Sequence, residues 1–155
     1  MHLRTVFFSM ATLLVSVAAP ASAQSAAALV GKWNIEYERG RRMEDGVVTP
    51  VMGTGTLTIA MKGDSAEATL QAGPRPDGTP SPAATFRGAI DAAKVVFVQK
   101  STVMLNMNGE QQSREVTVTW TLQANGDALS GSLLRVIADA PMAAEPTPVK
   151  GTRAK

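Results

Sequence analysis

The sequence predicts an all-β protein, an eight-stranded antiparallel up-and-down (meander) barrel, and three observations carry that prediction. Apolar and polar residues alternate with period two in segment after segment, the mark of strands with one buried face. Short turns bearing Gly, Asn or Asp separate several of these segments, so neighbours in sequence become neighbours in a sheet. Large inward residues recur opposite small ones, which suits a barrel interior filled by side chains. The clearest instance is 114–135, REVTVTWTLQANGDALSGSLLR. Val116, Val118, Trp120 and Leu122 alternate with polar residues, Asn125-Gly126 supplies a turn, and Leu129, Gly131 and Leu133 resume the alternation. A type I′ turn at Asn125-Gly126 sets Leu122 opposite Leu129, Trp120 opposite Gly131 and Val118 opposite Leu133.

Residues 1–23 read as a signal peptide: MHLR is a positive start, Val6 to Ala18 an apolar core, and Ala21-Ser22-Ala23 a small-residue cleavage site. Cleavage there makes Gln24 the mature N-terminus, leaves 24–155 as a single domain and exports it to the periplasm or the extracellular space. A membrane anchor needs roughly 20 continuous apolar residues, and this core is shorter and runs into Pro20. The chain has no Cys, hence no disulfide, no lipid-bearing cysteine and no thiolate metal site. Its one His, His2, leaves with the leader. Of 15 Lys and Arg against 13 Asp and Glu, only Arg4 lies in the leader, so the remaining domain is nearly balanced and lacks the basic excess that nucleic acid demands.

The elements follow in order. Gln24 to Val30 is a small-residue lead-in, and GKWNIEYE forms the first strand with Trp33, Ile35 and Tyr37 on one face. Arg39 to Met52 is expected as a long polar loop, its Arg39, Arg41 and Arg42 solvated beside Glu44 and Asp45. GTLTIAM places Leu57, Ile59 and Met61 inward, and the Gly63-Asp64 turn sets them against Leu70, Ala68 and Ala66. Gly73 to Pro82 carries four prolines and is a loop. ATFRGAID turns at Ala92-Ala93 into KVVFVQKSTVMLNM, with Ile90 facing Val95, Gly88 facing Phe97 and Phe86 facing Gln99. That run is too long for a flat strand and is expected to bend near Lys100 to Thr102. Asn108-Gly109 marks the next turn, ADAPMAAEPTP is a connection without a helix, and VKGTRAK closes the chain. A meander of eight strands with one apolar face is a sandwich or a barrel, and only the barrel removes both sheet edges.

Gly31-Lys32-Trp33 resembles the Gly-x-Trp of the first strand of the calycin-like barrels, the lipocalins and their bacterial relatives, and Gly151-Thr152-Arg153 resembles their closing strand. The repeated pattern of a Leu-Thr strand, a Gly-Asp turn and a small-residue strand is similar to small exported bacterial barrel proteins of unassigned function. The resemblance implies barrel closure with Arg153 lying over Trp33, and a lumen that takes a small apolar or amphipathic ligand. The chain departs from typical lipocalins in lacking their long C-terminal helix, any disulfide and roughly 30 residues of their usual length.

An enzyme is not expected. Acyl transfer needs an activated nucleophile, yet no His is left to serve a Ser, and neither Gly-x-Ser-x-Gly nor Ser-x-x-Lys occurs. Glu36, Glu38, Glu67 and Glu115 fall on the outward phase of their strands, whereas acid/base work needs two carboxyls facing each other inside. Met43, Met52, Met61, Met104, Met107 and Met142 raise the question of copper, but Met104 and Met107 are three apart on a strand and point to opposite faces. No metal and no other cofactor is implied. The inward phase does carry polar groups: Tyr37, Gln99, Ser101 and, under strict pairing, Arg135 opposite Val116. A bulge near Leu133-Leu134 that turns Arg135 outward is preferred, since Leu134 and Val136 otherwise face solvent. A ligand in the lumen is expected to meet Tyr37, Met61, Phe97, Gln99, Met107 and Trp120. The other reading is a structural or interaction domain with a filled barrel, using the Arg39–Met52 and Pro-rich loops as its partner surface.

Overall fold

The computed structural model describes residues 26–44, 47–75, 78–91, 94–107, 110–139 and 144–155, with side chains described throughout except at 42–48 and 105–110. Residues 1–23, the proposed junction at Gln24, Met142 and the turns at Ala92-Ala93 and Asn108-Gly109 lie outside the described residues. Eight strands follow in order: β1 (Gly31–Glu44), β2 (Val47–Lys62), β3 (Ser65–Ala72), β4 (Ala84–Asp91), β5 (Lys94–Met107), β6 (Glu110–Asn125), β7 (Ala128–Ile137) and β8 (Thr147–Arg153). Each pairs antiparallel with its neighbour in sequence, and β8 returns to β1, so the sheet is a closed up-and-down barrel. The seam is short, running from Trp33 opposite Arg153 to Glu36 opposite Lys150.

Register puts the expected apolar set inside. Leu57, Ile59 and Met61 stand opposite Leu70, Ala68 and Ala66, with Gly63 at φ +62° in the turn between them. Gly88 stands opposite Phe97 and Ile90 opposite Val95, but the β4–β5 ladder ends there, so Phe86 has no strand partner in Gln99. The ring of Phe86 instead packs edge-on to Phe97, at 5.4 Å between centroids. β5 pairs with β6 without a register shift from Val95–Leu122 to Met107–Glu110, straight through the Lys100–Thr102 segment.

Three expectations are corrected. The β6–β7 hairpin is displaced by two residues: Asn125 stands opposite Ala128, Leu122 opposite Gly131, Trp120 opposite Leu133 and Val118 opposite Arg135. The loop residues are Gly126 and Asp127, with positive φ at Gly126 alone, the requirement of a type II′ turn rather than the I′ turn expected at Asn-Gly. Displacement by two keeps every side chain on its face, which is why the apolar set survives. Second, Arg39–Met52 is not a loop. β1 and β2 continue as a paired ribbon to Glu44 opposite Val47, with one register shift between Glu38 and Gly40 that leaves Arg39 as a bulge residue. Third, the lead-in contains one helical turn at residues 26–29, whose Ala26 and Leu29 are buried.

The ladders divide the molecule into two levels. The lower level is the closed barrel, plugged by the helical turn; Trp33 is fully buried there and donates its indole N–H to Leu29 O at 2.8 Å. Above it, β3, β4 and β8 stop, and two ribbons continue beyond them: β1–β2 around 38–53 and β5–β6 around 98–117. The described parts of the two connections, 73–75 with 78–83 and 138–139 with 144–146, lie at this same upper end.

Candidate functional site at the barrel mouth

The upper end of the lumen has an aromatic floor. Trp120 stacks on Phe86 at 5.9 Å with an interplanar angle of 14°, and Tyr37 tilts against Trp120 at 5.3 Å. Phe97 lies beneath and is fully buried, so the middle of the barrel is filled by side chains. Gly88 makes that filling possible, because a Cβ there would sit 2.5 Å from Cδ1 of Phe97.

Above the floor stand two arginines. Arg135 is on the inward phase opposite Val118, and no bulge intervenes at Leu133-Leu134. The expected outward turn fails because Arg135 has partners inside: Nη1 donates to Arg39 O at 3.2 Å and Nη2 to Glu38 O at 3.5 Å. These carbonyls belong to the bulged part of β1, beyond the last rung that β8 provides. The guanidinium thus occupies the gap between β7 and β1 where β8 has ended. Arg39 crosses the inner side of Gly53, in the space a larger residue's Cβ would fill. It donates to Pro74 O at 2.8 Å and to Ser81 Oγ at 3.3 Å, which ties the 73–83 connection to the mouth.

The same bulge accounts for Glu38. Expected on a solvated outer face, it is fully buried, the one charged side chain in the core among the described residues. Its Oε1 accepts from Arg41 Nε at 3.0 Å, while Oε2 has no partner. A bulge breaks the two-residue alternation, and strict phase then assigns the wrong environment. No sequence signal at Glu38 announces this, although Gly40 within an otherwise regular strand hints at it.

Two donors join that acceptor as buried atoms without a hydrogen-bond partner: Trp120 Nε1 and Arg135 Nε. The two residues are diagonal neighbours on the inner face, about 7 Å apart at Cβ. Tyr37 completes the cluster. Burial raises the affinity of its hydroxyl for its proton, and the charges of Arg39 and Arg135 oppose that rise, so both guanidinia lie within electrostatic reach of the phenol.

The expected ligand set therefore divides. Tyr37 and Trp120 are in contact at the mouth, Phe97 forms the layer below, and Gln99 is half-buried beside Val118 on the same rung as Arg135. Met61 is at the opposite end, next to the Gly63 turn, and 37% exposed. The Met107 side chain lies outside the described residues, its backbone pairing with Glu110 at the tip of the β5–β6 ribbon. Ser101 is exposed. At the lower end Arg153 covers Trp33, with its guanidinium carbon 4.3 Å from the ring centre. The fold thus defines the class, an eight-stranded closed up-and-down β-barrel consistent with a calycin-like architecture. Comparisons with protein-family models, with curated proteins and with solved structures find no match to this chain.

Proposed function

We propose that this chain is an exported calycin-like barrel that binds a small apolar or amphipathic molecule at its upper mouth, above the Trp120 floor. The observation that supports the reading most is the indole N–H of Trp120, which is buried, in a residue only 3% exposed, and has no partner. A buried polar group without a hydrogen bond costs about 1–3 kcal/mol, and a bound molecule is one way of recovering it. The floor of Phe86 and Trp120 supplies apolar contact, and Tyr37, Gln99 and Arg135 supply the few polar groups that orient a ligand. Titration with fatty acids, haem and hydrophobic dyes tests the reading, with tryptophan emission and thermal shift as readouts. Trp120 emission should respond to at least one class; silence from all of them in folded protein would leave the mouth as core.

A specific observation favours the second reading, a structural or interaction domain. Trp33 and Phe97 are fully buried, so the lumen below the mouth is occupied by the protein itself. In that case the protruding β1–β2 and β5–β6 ribbons would carry the partner surface, in place of the expected loop at Arg39–Met52.

A further inference from the structure

Granting the mouth as a ligand site, its unmatched groups specify the charge of what enters. Among the residues whose side chains are described, no carboxylate lies within ion-pair distance of Arg39 or Arg135. Their bonds go to neutral acceptors: the carbonyls of Glu38, Arg39 and Pro74, and the hydroxyl of Ser81. The acidic group closest in sequence, Glu38, gives its bonded oxygen to Arg41. Two guanidinia thus lie within electrostatic reach of Tyr37 with no ion-pair partner among the described side chains, and the unpartnered Nε of Arg135 and Nε1 of Trp120 are both donors. A ligand whose polar end only donates would leave both unmatched, and a cationic one would also add to the positive charge.

We propose that the mouth binds amphiphiles whose polar end is an anionic acceptor, received by Trp120 Nε1 and Arg135 Nε while the apolar portion lies against the Phe86–Trp120 floor. The inference rests on the reading of the mouth as a ligand site and deepens it. It gives the unfilled donors one common occupant and places a counter-charge beside two half-buried guanidinia.

Three probes with the same tail and different heads decide the point: octanoate, octanol and octylamine, each titrated into the purified protein and followed by the tryptophan indole N–H resonances. Trp33 is the internal reference, because its N–H is already bonded to Leu29 O. Octanoate should move the Trp120 resonance, leave that of Trp33 in place, and bind about tenfold or more tighter than octanol, the scale of a charge-assisted hydrogen bond. Octylamine should be the weakest. In the W120F variant, where thermal shift replaces the lost indole resonance as the readout, the preference for octanoate over octanol should shrink. Equal binding of octanol, or tighter binding of octylamine, would overturn the anion assignment and leave the ligand reading standing. Failure of all three while another class of molecule moves Trp120 would do the same. Failure of these and of every other class would overturn both, and would mean that water alone serves the two donors.

Discussion

Arg153 and Trp33 are paired across the β1–β8 seam, and the guanidinium of one also lies over the indole of the other. Every nitrogen of that guanidinium is engaged: Nε with Asp127 at 3.2 Å, Nη1 with Val30 O at 3.0 Å and Nη2 with Ala28 O at 2.9 Å. One side chain therefore fastens the lead-in, the β6–β7 turn and the floor of the barrel together. Arg153→Ala should lower stability by about 2 kcal/mol or more, combining a partly desolvated cation–π contact with lost hydrogen bonds. Lys at this position keeps the charge but not the fork, and should recover less than half of the loss. Urea unfolding of the two variants checks this; a lysine variant equal to the native protein would refute the role of the fork.

Gly88→Ala should destabilise by about 1–3 kcal/mol through overpacking. Its Cβ would meet both the Phe97 ring and Val96 O at 2.5 Å, and the carbonyl cannot swing away. Adding Phe97→Leu should restore only the part due to the ring. Thermal melts of the single and double variants measure the coupling, and a Gly88→Ala protein that melts with the native one would rule the clash out.

Tyr37 makes stability depend on alkaline pH. Its proton is held more tightly in the folded state than in the unfolded one, because burial disfavours the phenolate more than the two arginines favour it. The unfolded chain therefore ionises first as pH rises. The contribution is complete below the ordinary tyrosine value of 10.0 and is lost as pH climbs through the higher folded value. Tyr37→Phe should lose this limb. Denaturation midpoints between pH 8 and about 11, compared for the two proteins, test it; parallel profiles would count against it.

The Glu38–Arg41 pair should respond unequally to loss of its two members. Arg41 is 30% exposed and can be solvated alone, whereas the carboxylate is 1% exposed. Arg41→Ala strands a buried charge and should cost about 2–4 kcal/mol. Glu38→Gln should cost far less and should also rescue Arg41→Ala in the double variant. Additive losses in a chemical-denaturation cycle would show that the two side chains do not act as a pair.

Legibility in the sequence follows from how much each local rule is protected by the rest of the fold. The inward faces of Trp33, Leu57, Phe97 and Trp120 were readable, because they sit in stretches whose alternation is unbroken and whose burial punishes a one-residue slip. The partner of Trp120 was not, since Asn125-Gly126 and Gly126-Asp127 both make acceptable two-residue turns and differ by a slip that changes no face. The environment of Glu38 and the inward course of Arg135 were unreadable for one shared reason. A single extra residue, Arg39, resets the phase of β1 and offers carbonyls to β7, two places away in the closed barrel. Arg39–Met52 looked like a loop because its charges and glycines hide a period that only cross-strand pairing reveals. Of the aromatic cluster, Tyr37 and Trp120 were singled out from the sequence and Phe86 was not, while Arg39 and Arg135 were assigned to solvent.

The seam between β1 and β8 also sets an order of events. Its partners are separated by more than a hundred positions in the chain, from Trp33 to Arg153. Seven strands can zip locally through their hairpins, yet the sheet keeps two open edges until the eighth has joined. Such non-local closure is slow, because the loop entropy is spent before the contact exists. The barrel therefore closes only when its first and last strands meet, and both edges stay unpaired until they do.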